Sequence, residues 1–206
     1  MKEILAYSFA LFGLQAVIFY INSYQAQFYS YAMGNGRGVD MFWIPFIILA
    51  AKLISAVFDP FVGNMIDKKE GKNGKLKPFI MLSIPPLIIL TILIFLDVKL
   101  NGFLLYLYIF VTTTLWSMAM TLGDVPSQAL ASVMTPNPNE RTNLIGISGT
   151  LKSIGQAAPY VVVPIVCLLI PGGAGFEGTI NGAEYLANAI VISVLGCLMF
   201  SLAYFF

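Results

Sequence analysis

Long apolar runs alternate with short polar islands along the whole chain, a pattern unlike the two-residue alternation of strands or the one-sided stripe of a soluble helix. A helix that crosses a bilayer needs about 20 mostly apolar residues. Six stretches meet that length, at residues 4–32, 41–66, 78–96, 102–134, 144–170 and 185–206. The pattern predicts an all-α membrane protein, a single bundle of six transmembrane helices. The runs 4–32 and 102–134 are longer than one straight crossing, so tilting or extension beyond the hydrocarbon layer is expected. The islands, at 34–40, 67–77, 136–143 and 171–184, are rich in Gly, Pro, Asn and charge. Such short connections set helices that neighbour in sequence antiparallel. Residues 4–32 are too long for a signal peptide and lack its small-residue cleavage site, which makes them a retained span. The last apolar run is still in progress at SLAYFF. The expectation is the first part of something longer, with a complete six-span protein as the alternative.

Basic residues orient the bundle. Lys68, Lys69, Lys72, Lys75, Lys77 and Arg141 fall in the second and fourth loops and Lys2 at the amino end, against Arg37 and Lys99 on the other side. The positive-inside rule then places the amino terminus in the cytoplasm of a plasma-membrane protein. The lysines of loop 67–77 also suit anionic lipid, although their commonest role is topological.

Composition narrows the classes. The chain is 58% hydrophobic and only 10% charged, with a net charge of +1, which offers no field for nucleic acid. It has no histidine, and Cys167 and Cys197 lie in separate apolar runs. Zinc clusters and Cys/His catalytic pairs are therefore not expected. Each cysteine reads as a small apolar packing residue.

Four ionisable residues remain inside the spans: Lys52 and Asp59 in the second, Asp124 in the fourth and Lys152 in the fifth. Each costs roughly 2.5–3.5 kcal/mol at the bilayer centre, so each is expected to face protein or a watery cavity. Lys52, Ser55 and Asp59 are spaced by three and then four residues, which puts them on one helical face. Asp59, Asp124 and Lys152 reach a similar depth, and Gln15 brings an amide to nearly the same level. The charges sum to zero, so simple pairing is the structural alternative to a site. Two prolines favour a site: Pro60 follows Asp59, and Pro126 stands two residues after Asp124. Each frees a carbonyl, of Ala56 and Leu122, close to its acid. The aromatics Tyr20, Tyr24, Phe28 and Tyr31 read mainly as packing or an interface belt, with Tyr20 kept as a candidate sugar contact.

The run AKLISAVFDPFVGNMIDKKEGKNGKLKPFI at 51–80 resembles the second helix and following loop of the glycoside–pentoside–hexuronide:cation symporters. These form the melibiose-carrier branch of the major facilitator superfamily. Asp59, Pro60, Gly63, Asp67, Gly74, Lys75, Lys77 and Pro78 fall on the recurring string. A second match is GDVPSQAL at 123–130, followed by Asn137, Pro138, Glu140, Arg141 and Thr142. The resemblance implies the amino-terminal half of a twelve-helix carrier whose carboxyl-terminal half is missing here. It also implies a small-molecule substrate, a sugar or glycoside, carried across the lipid bilayer with a cation.

The resemblance implies a coupling site at Asp59, Ser55 and Thr121. Ser55 stands where the family has an acid, so only Asp59 remains of the pair that holds sodium, with Thr121 matching a hydroxyl ligand. Lys52 matches the family's basic residue ahead of the acids. The positions that grip sugar read Gln15, Asp124 and Gln128, and Lys152 stands one turn beyond the position of a common helix-five arginine. No cofactor is implied beyond the coupling ion, proton in preference to sodium, and no metal beyond sodium at Asp59 and Thr121. Two other readings stay open: a six-span channel or carrier that dimerises, and a membrane enzyme built on an aspartyl pair at Asp59 and Asp124.

Overall fold

The computed structural model describes residues 2–30, 40, 42–68, 76–134, 138–170 and 180–204. The six predicted spans are six helices: α1 Lys2–Phe28, α2 Trp43–Lys68, α3 Lys77–Ile94, α4 Phe103–Met134, α5 Pro138–Leu169 and α6 Gly182–Ser201. A short 3-10 turn, Leu202–Tyr204, follows α6. All six are long and apolar enough to cross a membrane. Much of the basic loop, residues 69–75, lies outside the described residues, as do Tyr31 and residues 171–179.

Two helices begin earlier than the apolar pattern predicts. α5 starts at Pro138 and takes in Glu140, Arg141 and Thr142, which the sequence reading assigned to a loop. Proline is well suited to the first turn of a helix, and an acid there meets the positive end of the helix dipole. α6 starts at Gly182, where the Asn181 backbone N–H donates to Glu184 Oε2 at 2.6 Å. That contact satisfies an amide at the helix start and lets a buried acid open a membrane helix.

The main packing pairs follow an exchange. α1 packs on α5 and α6, α4 packs on α2 and α3, and α3 packs on α6. Swapping α1–α3 for α4–α6 leaves that scheme unchanged. The polar cross-links give the direction of each pair. Tyr7 near the start of α1 donates to the Ser127 carbonyl near the end of α4 at 2.8 Å. Gln25 near the end of α1 donates to Thr113 Oγ1 near the start of α4 at 2.6 Å. α1 and α4 therefore run antiparallel, and the two halves form an inverted repeat.

Glycine makes the closest approaches. A Cβ on Gly13 of α1 would stand 2.3 Å from the Gly196 carbonyl oxygen of α6. A Cβ on Gly123 of α4 would stand 2.8 Å from Ser83 Oγ of α3. These contacts correspond under the exchange, and they bring backbones together as small residues do in membrane bundles. In contrast, α2 and α5 leave long rows of apolar side chains exposed, such as Leu53, Val57 and Phe61 on α2 and Ile154, Val161 and Ile165 on α5.

Candidate functional site

α2 turns the face bearing Lys52, Ser55 and Asp59 toward α4, and the two helices enclose a cavity of about 320 Å³ with the edge of α1. Asn22, Lys52, Ser55, Asp59, Thr121 and Asp124 all reach it. Thr121 Oγ1 donates to Asp59 Oδ1 at 2.8 Å, joining α4 to α2. Ala56, whose carbonyl loses its donor to Pro60, lines the same space. The Ser55 hydroxyl is turned back on its own helix and donates to the Lys52 carbonyl at 3.2 Å.

The four intramembrane charges do not cancel by pairing with one another. Lys52 Nζ donates to Asn22 Oδ1 on α1 at 2.9 Å. Asp124 Oδ2 accepts from Gln128 Nε2, one turn on, at 2.6 Å. Asp59 has the Thr121 hydroxyl. Three of the four ionisable groups are thus held by neutral donors or acceptors.

Gln128 and Lys152 line a second cavity, of about 300 Å³, between α1, α4 and α5, together with Tyr7, Arg141 and Ser148. The two cavities are neighbours across one hydrogen bond, since Asp124 lines the first and its partner Gln128 the second. Gln15 is half-buried on α1 and lines neither cavity. Tyr20 is fully buried, donates to the Tyr185 carbonyl at 2.8 Å, and lies tilted against the rings of Phe95 and Tyr24. It packs α1 against α6 and reaches neither cavity. Cys167 and Cys197 are buried and free, as packing residues. A mainly apolar groove at Trp43, Ile47, Phe103 and Tyr106 offers little to orient a polar solute, since the Tyr106 hydroxyl is committed to the Asp40 backbone.

Sequence reasoning passed over two residues. Asn22 stands seven residues after Gln15, on the same helical face, and that spacing was the available signal. Arg141 was read as a loop cation, and only the early start of α5 turns it into a cavity residue.

An inverted repeat of three helices, with polar groups gathered at mid-membrane between its halves, is the architecture of a secondary transporter bundle. Residues 6–206 match the MFS/sugar transport protein family, and the chain belongs to that family. It is 28% identical over 82% of its length to the uncharacterized symporter YjmB of Bacillus subtilis (strain 168), of which it covers 35%. It is 28% identical over 81% of its length to the inner membrane symporter YicJ of Escherichia coli (strain K12), of which it covers 36%. With the isoprimeverose transporter of Lactiplantibacillus pentosus it shares 21% identity over 98% of its length and 41% of that protein. The chain thus spans about two fifths or less of these relatives.

Proposed function

We propose that this chain is the amino-terminal bundle of a secondary active transporter that carries a sugar or glycoside together with a cation. The observation that carries the reading is the Thr121–Asp59 hydrogen bond at 2.8 Å, in a cavity that also holds Ser55, Lys52 and Asp124. It joins an acid and a hydroxyl, beside the residue whose carbonyl Pro60 frees, at the depth where such carriers bind their ions. Relatives whose names describe symporters, an isoprimeverose transporter and a glucuronide carrier homolog support the solute class. Asp59, Ser55 and Thr121 form the coupling site. Asp124, Gln128 and Lys152 carry the solute, with Lys52 positioned by Asn22.

A transporter fits better than an enzyme. An aspartyl pair would share a proton between its carboxyls, whereas Asp59 and Asp124 each accept a hydrogen bond from a separate neutral side chain. The whole carrier is read as twelve helices in the plasma membrane, its amino terminus and loop 67–77 cytoplasmic. A fusion at Asn73 is expected to be active with a cytoplasmic reporter and silent with a periplasmic one.

The test of function is uptake of labelled glycosides by the full-length carrier in vesicles. Accumulation above the external concentration under an inward proton or sodium gradient supports symport. Equilibration that ignores both gradients would remove the coupling role of Asp59 and favour a channel.

A further inference from the structure

The groove between the first turns of α2 and α4 lies apart from the charged cavities. Trp43, Ile47, Phe103, Tyr106, Leu107 and Phe110 line it, around a volume of about 400 Å³, which falls within the range of small-molecule sites. Trp43 stands nine residues before Lys52, about two and a half helical turns, so the two side chains leave α2 on opposite faces. Lys52 turns to the cavity of Asp59 and Thr121. The groove opens on the other side, where Trp43, Phe103 and Leu107 are exposed at the ends of two membrane spans. Along α4 it runs from Phe103 to Phe110, about 10 Å of helical rise.

An acid stands at the mouth of this apolar slot and is held in place. The Tyr106 hydroxyl accepts from the Asp40 backbone N–H at 2.6 Å and donates to the Asp40 carbonyl at 3.2 Å. That carbonyl also accepts from the Trp43 N–H at 3.1 Å, and Asp40 Oδ1 accepts from the Phe42 N–H at 3.0 Å. Capping the start of α2 thus uses one carboxylate oxygen. The side chain is exposed, and no cation meets it among the described residues. Next to it, Phe42 sets its ring edge-on to Trp43 at 5.7 Å, and Phe46 lies 6.1 Å from the indole. An exposed indole offers its face to a cation, and the Trp43 Nε1–H has no acceptor among the described residues.

We propose that this groove binds a phospholipid with a primary-ammonium headgroup, of the phosphatidylethanolamine type, in the leaflet away from loop 67–77. The ammonium sits between the Asp40 carboxylate and the face of Trp43, the indole N–H meets a phosphate or ester oxygen, and an acyl chain fills the slot toward Phe110. Aromatic residues gather at this level of any bilayer because their rings are amphipathic, but a belt has no use for a fixed acid. Asp40 repels an anionic headgroup. It also separates the zwitterionic ones, since a primary ammonium donates charge-assisted hydrogen bonds to a carboxylate and a choline has no N–H to give. A lipid so held clamps the starts of α2 and α4 together, whatever solute or ion the carrier takes.

The experiment uses the full-length carrier in nanodiscs of phosphatidylglycerol doped with a phosphatidylethanolamine that carries a diazirine on its acyl chain. After irradiation, labelled peptides are mapped by mass spectrometry, with unlabelled phosphatidylethanolamine or phosphatidylcholine as competitor. Label is expected on residues 43–47 and 103–110. Phosphatidylethanolamine is expected to displace it at a mole fraction tenfold or more below that needed of phosphatidylcholine. Asp40→Asn keeps the turn that opens α2, because asparagine makes the same contact with the Phe42 N–H, and is expected to bring the two competitors within twofold. Trp43→Leu is expected to raise the displacing fraction of phosphatidylethanolamine several-fold, with circular dichroism and melting temperature reporting the fold of both variants. Equal displacement by the two lipids in the wild type, or a preference that survives Asp40→Asn, overturns the proposal and leaves an ordinary aromatic belt. Label on neither segment overturns it too and leaves a groove covered by protein. No solute or ion gradient enters the measurement, so either failure leaves the transport reading standing.

Discussion

Thr121 Oγ1 lies 2.8 Å from Asp59 Oδ1, a contact that ties the middle of α4 to the middle of α2. The two residues stand sixty-two positions apart in the chain. Their helices run parallel, since Asp40, just before α2, meets Tyr106 in the first turn of α4, sixty-six positions away. The hydroxyl and the acid are therefore brought together by the fold, and any rocking of α4 against α2 changes the coordination of the carboxylate.

Asp59→Asn is accordingly expected to abolish accumulation of solute against a gradient in the full-length carrier while leaving solute exchange. The amide keeps the side chain's size and its acceptor for Thr121 but can neither carry the charge nor release the proton. Concentrative uptake and counterflow, measured in the same vesicles, separate the two functions. Unimpaired concentrative uptake would remove Asp59 from the coupling step.

Tyr20→Phe distinguishes packing from solute contact. The ring stays in the aromatic cluster, and what is lost is the hydrogen bond to the Tyr185 carbonyl. The carbonyl keeps its donor within α6, so the loss of this one hydrogen bond should lower stability by about 0.5–1.5 kcal/mol. The drop is expected as a lower melting temperature, with solute affinity unchanged. A tenfold loss of affinity at an unaltered melting temperature would return Tyr20 to the binding site.

The six spans are legible in the sequence because length and hydropathy are local properties. The face of Lys52, Ser55 and Asp59 is legible for the same reason, since helical periodicity is fixed within two turns. The partners of those residues are not. Nothing near Lys52 announces Asn22 on α1, thirty positions away, and nothing near Asp124 separates the cavity it lines from the one lined by Gln128. The repeat is similarly hidden. It survives in how the helices pack and in the matching glycines, Gly13 and Gly123, where backbone geometry constrains the residue. The burial of Tyr20 is not legible either, because aromatic spacing looks the same whether the ring faces a sugar or a neighbouring helix.

Gly13→Ala tests the packing of α1 on α6. The added methyl would stand 2.3 Å from a backbone oxygen, which cannot swing away as a side chain could. The helices must separate, at a cost of roughly 1–3 kcal/mol for an overpacked contact. Gly146→Ala is the control, because nothing lies within 4 Å of a Cβ there and alanine favours the helix. Thermal denaturation in detergent is expected to show a lower midpoint for the first variant and an equal or higher one for the second. Equal midpoints for Gly13→Ala and the parent would mean that α1 and α6 do not meet through their glycines.

Ser55→Asp addresses the coupling ion. Sodium prefers several oxygen ligands with negative charge among them; here one carboxylate, Asp59, meets the Thr121 hydroxyl beside the residue whose carbonyl Pro60 frees, while the cavity's second acid, Asp124, is held by Gln128. The Ser55 hydroxyl donates to the Lys52 carbonyl within its own helix, so it supplies no charge to the set. A proton requires only one acid, and Asp59 provides it, which is why proton coupling is favoured. An aspartate at 55, one turn before Asp59 on the same face, adds the missing charge beside Lys52, whose ammonium is held off by Asn22 at 2.9 Å. The wild-type carrier is therefore expected to accumulate solute under an inward proton gradient and to respond weakly to sodium. The variant is expected to gain sodium stimulation several-fold. Uptake with each gradient imposed separately decides the matter: stimulation of the wild type by sodium alone would show that one carboxylate, a hydroxyl and a freed carbonyl suffice to hold that ion.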